Sequence, residues 1–257
     1  MADTFEDFLQ TRPPTADRPL LGQTVLVVED SRFASDAVRL LCLRSGARIR
    51  RADSLRAAAR HLCTYSPSIL IVDLGLPDGS GLELIEELDA KRPRVPVILA
   101  TSGEDDLAEC ALAKGADEFL TKPLVNIAQF QETILSLLPE GVRPKGLRTV
   151  VREDVDPDRI AYRDDLAHVA DLLAEGGSVR RFDYASGFLR GVAKTAGDTV
   201  LMAAVAELDR RRAAGEATGV TVARVVGLIE DRLSQERSAS YSGHPRASFG
   251  RDLTRPD

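Results

Sequence analysis

The strongest constraint on this chain is a pattern that recurs five times between Gln23 and Leu138. A short apolar run ends in a polar turn and is followed by an amphipathic stretch of helical period. The apolar segments are Thr24–Val28, Ala47–Ala52, Ser68–Asp73, Val97–Thr101 and Asp117–Leu120. The amphipathic segments are Arg32–Ser45, Ser54–Tyr65, Gly81–Lys91, Leu107–Lys114 and Val125–Leu138, with Ser54 placed as an N-cap and Gly46 as a stop. Runs such as LVV, ILIV and VILA do not alternate with polar residues, as expected of strands covered on both faces. Strand and helix in strict alternation predict an α/β domain with a doubly wound, five-stranded parallel sheet.

In such a sheet, chemistry gathers at the carboxyl ends of the strands. The stretch ILIVDLGLPDGSG places Asp73 there, at the point where the third apolar run breaks into a loop. Glu29 and Asp30 end the first strand, Thr101 and Ser102 end the fourth, and Lys122 lies just beyond the fifth. Three carboxylates at one edge repel one another, and a hard divalent cation relieves that repulsion. Oxygen-only ligands suit Mg²⁺, and Lys122 with the Thr101 hydroxyl suits phosphoryl oxygens. The edge is thus equipped for phosphoryl transfer to a carboxylate. Neither GxxxxGK[ST] nor GxGxxG occurs, so nucleotide-binding loops of those kinds are not expected.

VVED at Val27–Asp30, VDLGLPDGSG, LATSG at Leu99–Gly103 and FLTKP at Phe119–Pro123, in this order, resemble the CheY-like receiver domain of two-component response regulators. That resemblance implies a flavodoxin-like fold over about residues 22–139. It implies that Asp73 accepts a phosphoryl group from a phosphohistidine donor, carried by a histidine kinase or phosphotransfer protein. Mg²⁺ would be held by Asp30, Asp73 and the Gly75 carbonyl, with Glu29 helping through water. Lys122 and Thr101 would contact the phosphoryl group, and Ser102 and Phe119 would belong to the switch that responds. The only catalysis implied is the protein's own phosphorylation and dephosphorylation, not an enzyme activity in the ordinary sense.

The flanks differ from this domain. Residues 1–21, with prolines at 13, 14 and 19, are expected to be unstructured, and residues 140–158 to be a linker. Four amphipathic stretches follow within 159–236: Arg159–Ala174, Phe182–Ala196, Thr199–Arg212 and Val220–Ser234. Short connections predict an all-α bundle. In the third stretch Val200, Leu201, Ala204, Val205 and Leu208 are expected to form one apolar stripe. Residues 237–257 read as a disordered tail.

Within the second stretch, GFLRGVAKTAG resembles the phosphotransfer-domain motif HxLKGxAxxxG, with Leu189, Arg190, Gly191, Ala193 and Gly197 in register. The position of its phosphorylatable histidine is Gly187. The resemblance therefore implies that shape without that chemistry, a module for a protein partner or self-association. The alternative is a phosphorylation-controlled DNA-binding transcriptional regulator, since ATGVTVARVV faintly resembles a helix-turn-helix. Glu230 and Asp231 just beyond it disfavour approach to phosphates. His61 and His244 have no second ligand at metal-like spacing, and the residues around His168, on a helix where a histidine could carry a phosphoryl group, do not match a kinase H-box.

A net charge of -6, from 34 basic and 40 acidic residues, argues against a general nucleic-acid coat. Cys42, Cys63 and Cys110 form no CxxC and read as small buried apolar residues. With no signal-peptide pattern and no membrane-length apolar run, a cytoplasmic protein is expected.

Overall fold

The computed structural model describes residues 13–146, 152–174 and 179–242. Its centre is a five-stranded parallel sheet ordered β2-β1-β3-β4-β5, comprising β1 (Thr24–Val28), β2 (Arg48–Ala52), β3 (Ile69–Asp73), β4 (Val97–Ser102) and β5 (Glu118–Thr121). Five helices intervene: α1 (Arg32–Ser45), α2 (Leu55–Leu62), α3 (Gly81–Ala90), α4 (Ala108–Ala113) and α5 (Ile127–Leu137). β3 and β4 are buried along their full length, and β1 nearly so. The edge strand β2, RIRRA, is mostly exposed.

Alternate side chains of the central strands enter opposite layers, as the two-residue period of a strand requires. Leu26, Leu70, Val72 and Ile98 pack with Ala58, Ile85 and Ala111 of α2, α3 and α4. Val25, Val27, Ile69, Ile71 and Leu99 pack with Leu41 of α1 and Phe130 and Ile134 of α5. These two apolar layers are what hold the sheet edge at a fixed position.

The remaining helices are α6 (Arg159–Ala174), α7 (Val179–Thr195), α8 (Thr199–Ala213) and α9 (Gly219–Ser242). α6 packs on α7 and α9, and α8 packs on the same two helices from the other side. Leu166, Val169, Leu189, Val192, Leu201, Val205, Leu208, Val225 and Ile229 share one apolar cluster. Phe33 of α1 belongs to that cluster too, its ring 5.4 Å from that of Tyr162. The first helix of the sheet domain therefore completes the core of the helical region.

Several flank expectations are corrected. Leu20 is fully buried in the layer beneath α1 and α5, and its amide donates to the Ser45 carbonyl at 2.9 Å, so the stretch before β1 is anchored from there. Within 140–158, Val155 N–H donates to the Val125 carbonyl at 2.8 Å and Asn126 bridges Asp154, which pins the end of the expected linker to the sheet domain. α9 continues to Ser242, into the segment expected to be tail, because extending an existing helix costs far less than starting one. Val200 lies in the first turn of α8 and is 50% exposed, off the buried stripe. Cys63 and Cys110 are exposed, and only Cys42 is buried among the three. Residues 1–12, 147–151, 243–257 and His244 among them lie outside the described residues. No helix of the described residues is long and apolar enough to cross a membrane.

Candidate functional site

Asp73 ends β3 and pairs in register with Thr101 of β4. The turn that follows returns the chain over this strand end, and Gly81 begins α3 against the Asp73 carbonyl. A Cβ at Gly81 would lie 2.1 Å from that oxygen, so only glycine permits the approach. On the neighbouring strand, β1 delivers Glu29 and Asp30, and Ser31 caps α1 by accepting from the Ala34 amide at 2.9 Å. Past β5, Lys122 N–H donates to the Ser102 carbonyl at 2.9 Å, which turns the side chain back toward the acids.

The Lys122 ammonium lies 2.7 Å from Glu29 and 3.0 Å from Asp73, and all three groups are buried. Burial alone would lower the lysine pKa, but the charges of Asp73 and Glu29 outweigh it and raise the pKa. Burial raises Glu29 well above the usual carboxylate range, opposed by Lys122 and reinforced by Asp73 and Asp30. Burial and the Asp73 charge push Asp30 up to about 7. One ammonium thus faces three carboxylates, and the site is short of positive charge.

The donor set fits a hard cation. Ligand oxygens of Glu29, Asp30 and Asp73 all lie within 4.8 Å of one another. Among the described residues, Asp30 Oδ1 is buried with no hydrogen-bond partner, as suits an oxygen that would bind a metal. The Thr101 hydroxyl, beside Asp73, is likewise buried and unpartnered among the described residues, and it could donate to an added oxygen. All-oxygen ligands and carboxylate charge favour Mg²⁺ over softer metals.

Six residues expected from the sequence, Glu29, Asp30, Asp73, Gly75, Ser102 and Lys122, line one cavity of about 170 Å³. Thr101 lies in the adjoining strand layer. Phe119 stands apart, half-buried against the apolar layer of α2, α3 and α4 rather than at the cavity.

The other wall of the cavity is α7, which the sequence did not place there. Tyr184 donates its hydroxyl hydrogen to Asp30 Oδ2, and burial together with the Asp30 charge raises the phenol pKa. Lys194 donates to the Gly103 carbonyl at 2.9 Å, and Arg190 bridges Glu104 and Asp209. A Cβ at Gly103 would come within 3.7 Å of the Gly191 Cα, so two backbones meet where both residues lack side chains.

From α6, buried Asp165 accepts from the Ser31 hydroxyl at 2.7 Å, the Arg32 amide at 2.9 Å and the Phe33 amide at 3.0 Å. Its oxygens thereby satisfy free donors at the first turn of α1. Asp165 had no local signal in the sequence. Tyr184 had a partial one, lying one turn before Gly187 in the phosphotransfer-like motif.

Comparison with known proteins bears on the sheet domain. Residues 25–134 match the family described as "Response regulator receiver domain". The chain is 34% identical over 99 residues to the KDP operon transcriptional regulatory protein KdpE of Escherichia coli K12, covering 38% of this chain and 44% of that protein. It is 39% identical over 101 residues to the virulence transcriptional regulatory protein PhoP of Salmonella typhimurium 14028s, covering 38% and 45%. The chain thus spans less than half the length of these curated relatives. A solved CheY-like receiver domain from Methylobacillus flagellatus is 28% identical, covering 45% of this chain and 98% of that one, with a TM-score of 0.41. Residues 25–134, with the acidic site at the edge of their sheet, form a response regulator receiver domain of a two-component system.

Proposed function

We propose that the chain is a response regulator that accepts a phosphoryl group on Asp73 and reports its state through the position of α6–α9. The observation that carries this reading is the seating of α7 on the acceptor edge, through Tyr184 on Asp30 and Lys194 on Gly103. An output element in direct contact with a proposed metal ligand is placed to sense what happens there.

In this reading Asp30, Asp73 and the Gly75 carbonyl hold Mg²⁺, with Glu29 nearby. When bound, the ion neutralises charge on the transferring phosphoryl group. Asp73 supplies the attacking oxygen. Lys122 stays protonated beside it and stabilises charge on the phosphoryl oxygens, and the unpartnered Thr101 hydroxyl donates to one of them. The phosphorylated form adds charge and three oxygens that need donors. From α7 the cavity receives Gly187, Phe188, Gly191 and Val192, which offer no side-chain donor, and Tyr184 and Arg190, whose donors are already engaged by Asp30 and by Glu104 and Asp209. Hydration of these oxygens and of the ion therefore favours lifting α7. The resemblance of GFLRGVAKTAG to the phosphotransfer-domain motif, with Gly187 at the histidine position, supports a protein-docking role that carries no phosphate itself. The chain promotes only its own phosphorylation and dephosphorylation.

The names of KdpE and PhoP favour a second reading, in which the helical region regulates transcription by binding DNA. Thr221, Val225 and Ile229 of α9 face inward, which removes one face of the candidate recognition helix from the surface. Phosphodonor labelling with Mg²⁺, followed by partner binding and DNA binding at moderate salt, separates the readings. A single acyl phosphate lost in Asp73→Asn, with phosphorylation-dependent binding to protein, supports the first. Labelling that persists in Asp73→Asn overturns it, and nanomolar sequence-selective DNA binding establishes the second.

A further inference from the structure

The acceptor carboxylate is roofed by its own chain. Asp73 is 7% exposed, and the cavity above it is closed by α7 through Tyr184, Arg190 and Lys194. Any phosphodonor must bring phosphorus to bonding distance of an Asp73 oxygen. A phosphorylated side chain on a folded protein needs the space that α7 occupies. The Gly103–Gly191 approach leaves no gap on that side for another backbone.

One opening in this roof is built by the absence of a side chain. Gly187 lines the cavity, and a Cβ placed there meets no atom of the described residues within 4 Å. About 170 Å³ remains below it, comparable to the roughly 150 Å³ cavity that holds a benzene-sized molecule. The walls carry the carboxylates of Glu29, Asp30 and Asp73 at the acceptor end, with Lys122 and the Ser102 hydroxyl beside them, and Glu104, Asp183 and Arg190 on the side of α7. A divalent cation together with Lys122 would offset the three carboxylates at the acceptor end, so that a small anion is no longer repelled from it.

We propose that α7 makes the closed chain selective by size: it admits a small phosphoryl donor of the acyl phosphate or phosphoramidate class into the cavity at Gly187, and it excludes a phosphohistidine carried on a polypeptide until α6 and α7 lift. The inference rests on Asp73 being the acceptor. With phosphoramidate, an Asp73 oxygen forms the new P–O bond as the P–N bond breaks. The nitrogen keeps the bonding pair, takes a proton and leaves as ammonia, so no oxidant or reductant is involved. Polypeptide donors react only with the open fraction, and their rate is scaled by that fraction. Gly187 is then the residue that sets donor size, and the Asp165 anchor on α1 sets how often the larger donors gain access.

The test uses the full chain with Mg²⁺ and two donors of the same bond type, phosphoramidate and a phosphohistidyl peptide. Initial labelling rates are compared for wild type, Asp165→Ala, Gly187→Leu and Asp73→Asn. Asp165→Ala removes an anchor outside the acceptor site, and Gly187→Leu fills the cavity while replacing a poor helix former with a good one. The expected result is a rate ratio of Asp165→Ala to wild type at least tenfold larger for the peptide than for phosphoramidate. Gly187→Leu should label at least tenfold more slowly than wild type with phosphoramidate, with its helical circular dichroism and melting retained. An equal ratio for both donors overturns size selection, and an unchanged phosphoramidate rate in Gly187→Leu overturns the cavity route independently. Asp73→Asn separates the premises: loss of all label keeps the acceptor assignment whatever the other variants do, and persistence of label defeats that assignment first.

Discussion

Replacing Asp165 with alanine is expected to free α6 and α7 from the receiver domain without unfolding the sheet. The wild-type carboxylate is 3% exposed and accepts three hydrogen bonds, from the Ser31 hydroxyl and the Arg32 and Phe33 amides. Hydrogen bonds to a charged group contribute about 1.5–3 kcal/mol each, so three would sum to roughly 4.5–9 kcal/mol if they were additive. Two facts reduce that figure. Burial raises the Asp165 pKa in spite of these donors, so ionising it in place carries a cost. In the variant the freed donors regain water once α6 moves away, which limits the loss to the docking free energy itself. A net loss of about 2 kcal/mol follows, or roughly a 30-fold rise in the open population. Ser31 still caps α1 through the Ala34 amide, so the helix itself should persist. Hydrogen exchange read by NMR should therefore show the Arg32 and Phe33 amides losing protection by about that factor, while β3 and β4 amides keep theirs. Unchanged protection at Arg32 and Phe33 would refute the anchoring role, and uniform loss through β3 and β4 would refute the separability of the two regions.

Phe33→Ala removes a ring that is 6% exposed and shared with the core of α6–α9, and should cost about 3–5 kcal/mol in urea unfolding while making the helical region melt separately. Lys122→Met leaves Glu29 and Asp73 buried without their common counter-charge, so the variant should lose about 3 kcal/mol or more, much of it restored by Mg²⁺ in the same urea assay. Without metal, Asp30 keeps its proton in the fold up to about pH 7 but loses it near 3.8 when unfolded. The folded state then binds more protons between those values, so Asp30's contribution makes stability fall as pH rises through that window. Asp30→Asn should flatten this dependence in urea midpoints measured from pH 4 to 8, and an identical pH profile for wild type and variant would count against the shift.

The sheet and its acidic edge were legible because both depend on short-range signals. Unbroken apolar runs required burial on both faces, and parallel crossovers brought every strand end to one side, so Glu29, Asp30, Asp73, Thr101, Ser102 and Lys122 could be assigned together. The spans of α6–α9 were also readable from periodicity, to within a few residues at most ends. What the sequence could not show was where those helices sit. Phe33 reads locally as one more apolar residue of an amphipathic helix, and nothing in its neighbourhood distinguishes burial against α5 from burial against Tyr162. Asp165 reads as a charge on a helix face, and its three partners lie more than a hundred positions away. Leu20 was lost among prolines for a related reason. One buried leucine suffices to anchor a stretch whose composition otherwise signals disorder.

The most direct measurement of the coupling between Asp73 and the helical region is hydrogen–deuterium exchange along α7 in the full chain, with and without Mg²⁺ and beryllofluoride, a phosphoryl mimic. A coupling of about 1–3 kcal/mol corresponds to a five- to 150-fold change in the docking equilibrium. The expected result is faster exchange of the Tyr184–Val192 amides, by fivefold or more, when both ligands are present, with no response in Asp73→Asn. Identical exchange along α7 in every state, in a chain shown to bind the mimic at Asp73, would contradict the claim that the acceptor site controls these helices.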